Sequence, residues 1–350
     1  MWKTIKFGLV ACLGFTLLLV LTGYAYVRSL NLDSQPSANP LSLPADLAFV
    51  RDGERAPRGK VLAVVTSTER IGNTDKGAGF ELTELARAYY VFVANGYEVD
   101  IASPLGGKAP MQLDDSLVAA DYAFLNDPIA QRKIANTLPV TQINPAQYAA
   151  VYFVGGKGTM FDFPDNADIQ RIARAVYQTG GVIGAVCHGP AALLNVTLDN
   201  GARLLAGRRA TGFTNAEELF LINNARELFP YLLQDAMTQG GAEFAEGQLY
   251  LDNTVVDGRL ITGQNPWSTW TVAEAMVRAL GHVPVARERT SEEISVQLLD
   301  IYFRRGAAAA LQAKGRLPLA DDRMLLMHAL VAGMQWRMGD AYHIQKLARQ

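Results

Sequence analysis

The chain has 350 residues, 49% of them hydrophobic, which is enough to bury one large core or two smaller ones. Its formal net charge is −2 and it has no basic stripe with interleaved aromatic residues, so the composition argues against a nucleic-acid-binding protein. Of its two cysteines, Cys12 lies in an apolar N-terminal segment, and we therefore expect the thiol of Cys187 to be unpaired.

The N-terminal part of the chain combines an apolar run with a polar linker. Residues 7–27 carry no charge and are almost continuously apolar, which is long enough to span a bilayer. Two lysines precede this run, so the positive-inside rule favours a catalytic domain on the periplasmic or extracellular side. A cleaved signal peptide is the alternative, because Gly23-Tyr24-Ala25 near the end of the run offers small residues at the spacing of a cleavage site. We predict a retained single-pass anchor over residues 1–30 and a proline-rich linker over residues 31–59.

Strand and helix patterns alternate through the body of the chain. Short apolar runs typical of buried strands cover residues 60–66, 97–103, 148–154 and 182–186, with helical periodicity between them. This alternation predicts a parallel sheet with helices on both faces, which is an α/β/α sandwich of the flavodoxin-like type. Ligands bind outside the carboxyl ends of the strands in such sheets. We assign residues 60–283 to this domain and residues 284–350, where only helical patterns occur, to a helical extension.

Cys187 lies where the fourth strand pattern meets a helix. The apolar run 182–186 leads into Cys187-His188-Gly189, and Pro190 opens a stretch rich in alanine and leucine. This is the strand–turn–helix layout of a nucleophile elbow, with cysteine in the reactive position. Backbone N–H groups and the dipole at the start of the helix favour the thiolate there. A buried cysteine without function is the alternative, and the adjacent histidine and glycine favour the reactive interpretation.

Other loops at the same sheet edge supply candidate partners for the thiol. Glu84 lies one turn into the first helix, where its carboxyl could share a proton with the sulfur. The backbone N–H groups of Gly155–Gly156 and of His188 are candidates for an oxyanion site. Glu217 and Glu218 are in plausible reach of His188 as an acid that orients it. None of the other histidines has the spacing of a metal ligand, so we expect no metal and no cofactor.

Six motifs, in chain order, carry a family resemblance over about residues 60–280: Gly79-Phe80-Glu81-Leu82-Thr83-Glu84-Leu85, Gly96-Tyr97-Glu98-Val99-Asp100-Ile101-Ala102-Ser103-Pro104, Gly155-Gly156-Lys157-Gly158-Thr159-Met160-Phe161-Asp162, Ala185-Val186-Cys187-His188-Gly189-Pro190-Ala191, Thr211-Gly212-Phe213-Thr214-Asn215-Ala216-Glu217-Glu218 and Asp257-Gly258-Arg259-Leu260-Ile261-Thr262-Gly263-Gln264-Asn265-Pro266. Together they resemble the ThiJ/PfpI superfamily, within the class I glutamine-amidotransferase-like fold. The branch they most resemble contains glutathione-independent glyoxalases (glyoxalase III) and heat-shock holding chaperones.

The resemblance implies a role for each residue that matches the family's motifs. Cys187 is then the nucleophile, His188 its neighbour in a Cys-His-acid set, and Glu84 the carboxyl placed against the sulfur. Glu217 best matches the third acid, and Glu218 stays open because the register is uncertain by one residue. Members of the family often have a histidine in a Gly-Gly-His-Gly loop, where this chain has lysine at position 157.

The function that the resemblance implies is conversion of a small 2-oxoaldehyde, such as methylglyoxal, to a 2-hydroxy acid by a cysteine nucleophile. Lys157 puts the substrate in doubt, since a cation beside the loop favours anionic substrates. A deglycase, amidohydrolase or peptidase of the same family is an alternative, as is a membrane-tethered holding chaperone or thiol sensor. The expected partners are an aldehyde substrate and, through the N-terminal helix, a membrane. A homodimer is left open.

Overall fold

The computed structural model describes residues 17, 20–26, 28–30, 32–113 and 116–349. These residues form two compact units. The larger unit covers residues 38–288, and the smaller unit combines residues 289–350 with the part of the chain before residue 38.

The described residues of the larger unit form a seven-stranded sheet with the order β10-β11-β7-β6-β1-β3-β5. All neighbouring pairs are parallel except β10 with β11, which form an antiparallel hairpin at one edge. Short two-stranded sheets pair β2 with β4 and β8 with β9. In chain order the strands are β1 (Lys60–Val64), β2 (Phe80–Glu81), β3 (Glu98–Ser103), β4 (Met111–Gln112), β5 (Leu138–Pro139), β6 (Ala150–Phe153), β7 (Val182–Val186), β8 (Arg209–Ala210), β9 (Glu243–Phe244), β10 (Thr254–Asp257) and β11 (Leu260–Gly263).

Helices cover the sheet. In chain order the α-helices of the larger unit are α1 (Ala48–Arg51), α2 (Leu82–Ala94), α3 (Ala119–Asn126), α4 (Pro128–Ala135), α5 (Thr159–Asp162), α6 (Ala167–Gln178), α7 (Asn215–Leu221), α8 (Ala225–Leu228), α9 (Leu233–Gln239) and α10 (Thr269–Ala279). Every residue of β6 and β7 is buried, as expected for strands whose two faces are both covered. The predicted α/β class with a mostly parallel central sheet is therefore confirmed.

The order of the central strands determines where the site forms. β1, β6 and β7 are neighbours, so the chain segments that leave their carboxyl ends lie side by side. Those segments begin near Thr66, Gly155 and Cys187. The start of helix α2, which carries Glu84, is tied to the same edge because the backbone N–H of Glu81 donates to the carbonyl of Gly155 at 3.4 Å.

The smaller unit is helical. In its C-terminal part the helices are α11 (Ser291–Arg305), α12 (Ala307–Lys314), α13 (Asp322–Met334) and α14 (Met338–Ala348). The backbone N–H of Asp322 donates to the side chain of Gln35 at 2.9 Å, which joins the start of α13 to the segment before residue 38.

The structure of the N-terminal part differs from what the sequence predicts. Within the described residues no helix is both long enough and apolar enough to cross a membrane. The predicted span over residues 7–27 lies for the most part outside the described residues, and the assignment of the catalytic domain to the exported side of a membrane is contradicted by this finding. Residues 38–59, which we predicted as linker, belong to the larger unit and include helix α1.

Candidate active site

Cys187 directly follows β7 and has a strained backbone. Its φ of 57° lies in the left-handed region, which costs a residue other than glycine about 1–3 kcal/mol. Two hydrogen bonds hold this turn. The N–H of Cys187 donates to the carbonyl of Gly263 at 2.9 Å, and its carbonyl accepts from the N–H of Phe213 at 2.8 Å. The predicted sharp turn therefore forms, and the adjacent chain segments impose it.

His188 connects the thiol to a carboxylate. Its Nδ1 lies 3.2 Å from the Sγ of Cys187, and its Nε2 lies 2.6 Å from Oε2 of Glu218. A carboxylate at that distance fixes the proton on Nε2, which leaves the lone pair of Nδ1 facing the sulfur. The imidazole ring packs on Phe213, with ring centroids 4.6 Å apart. The Cys187-His188-Glu218 arrangement has the geometry of a nucleophile, a base and an orienting acid.

Glu218, and not Glu217, is the acid at His188, which corrects our preferred assignment. Glu217 is fully buried and turned toward the helix start, where its Oε2 accepts from the N–H and the hydroxyl of Thr214 at 3.1 and 3.0 Å. Its Oε1 accepts from the N–H of Tyr250 and from the side-chain amides of Gln264 and Asn265. Consecutive helical residues point about 100° apart, so only one of the two glutamates can face His188.

Glu84 lies beside Cys187 and belongs to a different element, helix α2. Its side chain is fully buried in the first turn of α2, and a Cβ at position 155 would contact both Oε2 of Glu84 and the Cβ of Cys187. Oε2 of Glu84 also accepts from the N–H of Gly155 at 2.7 Å. The hydroxyl of Tyr152 donates to the carbonyl of Glu84 at 2.9 Å, so β6 and the loop that follows it hold both the backbone and the side chain of this residue. The expected juxtaposition of Glu84 with Cys187 is present in the structure.

The contact between Gly155 and Glu84 changes the expected role of this glycine. We considered the N–H of Gly155 as an oxyanion donor, but the Glu84 carboxylate takes it. A Cβ at position 155 would also lie 2.6 Å from the carbonyl oxygen of Val186 and 2.8 Å from the Cβ of Cys187. Glycine is needed here because the backbone passes too close to the cysteine for any side chain.

The thiol itself is less exposed and less acidic than the sequence indicated. Cys187 is 4% exposed, and burial followed by the charge of Glu84 raises the pKa of its thiol well above the ordinary value. The following helix, Gly189–Leu193, is a short 3₁₀ helix. Our expectation that the helix start would favour the thiolate is therefore wrong for the resting site, and the thiol needs a base to ionise it.

Two further residues at the site, Thr159 and Glu81, lie in the motifs quoted above but had no predicted role. The hydroxyl of Thr159 donates to the carbonyl of Gly156 at 2.9 Å and to that of His188 at 3.0 Å, which ties the two loops together. The side chain of Glu81 lies 3.7 Å from Nζ of Lys157. Sequence patterns rarely indicate contacts of this kind, because they depend on which loops the sheet brings together.

The family assignment comes from comparison with known proteins. A model of the DJ-1/PfpI family matches residues 76–279. The chain belongs to the DJ-1/PfpI family. Among curated relatives, Glyoxalase 3 of Candida albicans is 32% identical over an aligned length of 230 residues, and the match covers 63% of this chain and 98% of that protein. The glutathione-independent glyoxalase HSP31 of Saccharomyces cerevisiae is 32% identical over 64% of this chain and 99% of its own length.

Solved structures agree with this assignment. The crystal structure of glyoxalase III from Candida albicans is similar with a TM-score of 0.56 and 31% identity, covering 63% of this chain and 97% of that one. The Rapid Encystment Protein of Francisella tularensis is similar with a TM-score of 0.60 and 33% identity, covering 63% of this chain and 99% of that one. These shares leave more than a third of this chain outside the similarity.

Proposed function

We propose that this member of the DJ-1/PfpI family is a glutathione-independent glyoxalase, which converts a small 2-oxoaldehyde to a 2-hydroxy acid. The observation that carries the proposal is the placement of one sulfur between two groups. His188 Nδ1 is 3.2 Å from Sγ, and the buried carboxylate of Glu84 lies beside Cys187 next to Gly155, where its charge adds to burial in raising the pKa of the same thiol. The names of the relatives, several of them glutathione-independent glyoxalases, support the same reaction.

The first step is addition of the thiol to the aldehyde carbon. His188 takes the thiol proton on Nδ1, and Glu218 stabilises the imidazolium that forms. The sulfur forms a bond to the aldehyde carbon, and the oxygen of that carbon receives the proton from His188. The product is a hemithioacetal. The oxygen passes through an anionic state, for which the backbone N–H groups of Gly156 and His188 are the best donors, because neither has an acceptor among the described residues.

The second step moves hydrogen between the two carbons. The Glu84 carboxylate removes the proton from the sulfur-bearing carbon, and the electron pair of that C–H bond forms the C=C bond of an enediolate. His188 then moves the proton of the hydroxyl on the sulfur-bearing carbon to the former ketone oxygen. Glu84 returns its proton to the neighbouring carbon, and the oxygen on the sulfur-bearing carbon becomes a carbonyl. The result is a thioester of the 2-hydroxy acid. Water hydrolyses the thioester, which releases the acid and restores the thiol. Overall, one 2-oxoaldehyde and one water molecule give one 2-hydroxy acid.

Glu84→Gln tests the second step separately from the first. This variant keeps an oxygen that can accept from the N–H of Gly155 but has no carboxylate to move the proton. We expect lactate formation from methylglyoxal to fall to background, while iodoacetamide still alkylates Cys187 in the folded protein. Full activity of Glu84→Gln would refute the proposed mechanism.

A further inference from the structure

Lys157 is a half-buried cation in the loop that follows β6, two residues after Gly155. Its side chain is 30% exposed, and its Nζ lies 3.7 Å from Oε1 of Glu81, whose side chain is 13% exposed. This distance is longer than a hydrogen bond of about 2.7–3.2 Å. The two charges therefore attract each other, but no acceptor among the described residues lies within hydrogen-bond distance of the ammonium.

The positions of both side chains are fixed by close backbone contact. Gly156 has a φ of 109°, and a Cβ there would lie 2.7 Å from Cα of Phe80 and 3.0 Å from the backbone nitrogen of Glu81. The carbonyl of Gly155 accepts from that same nitrogen. The loop that carries Lys157 therefore packs closely against the strand that carries Glu81. This packing fixes the distance between the backbones of the two residues.

Both charges act on the sulfur of Cys187. The backbone of Gly155, two residues before Lys157, lies directly on Cys187. Lys157 lowers the pKa of the Cys187 thiol and Glu81 raises it, so the two side chains oppose each other at the reacting atom. An anion that approaches the sulfur meets an attractive and a repulsive charge at nearly the same place.

We propose that Lys157 determines substrate specificity by binding an anionic group on the substrate, and that Glu81 limits how strongly it does so. An ammonium has three donors and Glu81 occupies at most one direction, which leaves donors for a carboxylate or phosphate. The substrate class is then 2-oxoaldehydes that carry a second, anionic group. This inference rests on the proposed glyoxalase function for its substrate, but the charge selectivity is a property of the thiol site itself.

The first test measures the charge selectivity without any turnover. In a Cys12→Ser background, Cys187 is alkylated with iodoacetate, an anion, or with iodoacetamide, which is neutral. In both reactions a sulfur–carbon bond forms and iodide leaves. We expect Lys157→Met to lower the ratio of the iodoacetate rate to the iodoacetamide rate by about three- to tenfold, and Glu81→Gln to raise it by a similar factor. Lys157→Arg keeps the charge and should keep the ratio.

A lysine in the other unit of the protein serves as the control. Lys346→Met removes an exposed lysine of helix α14 in the smaller unit, and it should leave the ratio unchanged. Because Lys157→Met and Glu81→Gln are expected to act in opposite directions, a general loss of folding cannot produce both results. Ratios within about twofold of wild type in both variants would overturn the proposal.

The second test adds the substrate. Phenylglyoxal and 4-carboxyphenylglyoxal differ by one carboxylate, and the ratio of their kcat/KM values should be lowered by Lys157→Met and raised by Glu81→Gln. An unchanged ratio in both variants would refute the specificity role. If the wild-type protein turned over neither aldehyde, the glyoxalase proposal would fail, while the alkylation ratios would still decide whether Lys157 and Glu81 select anions.

Discussion

Glu218→Gln and Glu217→Gln form a matched pair of changes at adjacent buried carboxylates with different partners. In the wild-type protein, Glu218 bonds to His188 at 2.6 Å, whereas Glu217 accepts from donors of Thr214, Tyr250 and the amides that follow β11. We predict that Glu218→Gln mainly lowers kcat and that Glu217→Gln mainly lowers stability.

The magnitudes follow from these contacts. A hydrogen bond to a charged group is worth about 1.5–3 kcal/mol, and Glu218→Gln removes the charge that stabilises the imidazolium, so kcat should fall by about tenfold to a hundredfold. In each contact described above, the carboxylate oxygens of Glu217 act as acceptors. Glu217→Gln replaces one of these oxygens with an NH₂ group. The new NH₂ group faces donors in place of accepting from them, which should cost about 2–3 kcal/mol of unfolding free energy and lower Tm by about 5–10 °C.

Lactate formation from methylglyoxal and thermal unfolding measured on the same preparations provide the assay. The expected pattern is a large kcat loss with a small Tm change for Glu218→Gln, and the reverse for Glu217→Gln. Equal losses of kcat in the two variants, or normal kcat in Glu218→Gln, would show that the His188–Glu218 contact does not orient a catalytic base.

Three further changes test individual contacts. The charge of Glu84 raises the pKa of the Cys187 thiol, so Glu84→Gln should lower that pKa. The pH at which the iodoacetamide alkylation rate rises should then be lower than in the wild-type protein. A shift of this rise to higher pH would contradict the proposed cause. Gly155→Ala should abolish lactate formation and cost about 1–3 kcal/mol of stability by overpacking, whereas Gly339→Ala, where a Cβ meets nothing, should be tolerated in both assays. Arg87→Met removes the cation that pairs with the fully buried Asp121 at 3.1 Å, so unfolding should require about 3–5 kcal/mol less and Tm should fall by about 10 °C. A Tm within about 2 °C of wild type would contradict this expectation.

The strands could be predicted because their signal is local. The run of apolar residues at 182–186 is bounded by glycine on one side and the elbow on the other, and the structure has β7 over the same residues. The sharp turn at Cys187 was also predictable, since it follows from strand, small residues and helix in direct succession. In both cases the neighbouring residues alone carry the information.

The roles of individual side chains were harder to predict. The choice between Glu217 and Glu218 depends on a single step around a helix, which a family resemblance with an uncertain register does not resolve. The sequence did contain a signal: Thr214 and Glu217 have the spacing of a capping box, which indicates that Glu217 folds back on the helix start. If Glu217 caps the helix, Glu218 is the glutamate that remains to contact His188.

The protonation state of the thiol could not be predicted from local sequence at all. It depends on the burial of Cys187 by distant segments and on the charge of Glu84 at the same sheet edge, both of which are tertiary contacts. The same applies to Gly155, whose N–H direction decides whether it faces a substrate oxygen or the carboxylate of Glu84.

The most direct test of the central claim is lactate formation from methylglyoxal in the absence of glutathione, measured with the full chain and with Cys187→Ser. The account predicts lactate production by the wild-type protein and none above background by the folded variant. Lactate production that survives Cys187→Ser, or its absence in the folded wild-type protein, would contradict a cysteine-dependent glyoxalase at this site.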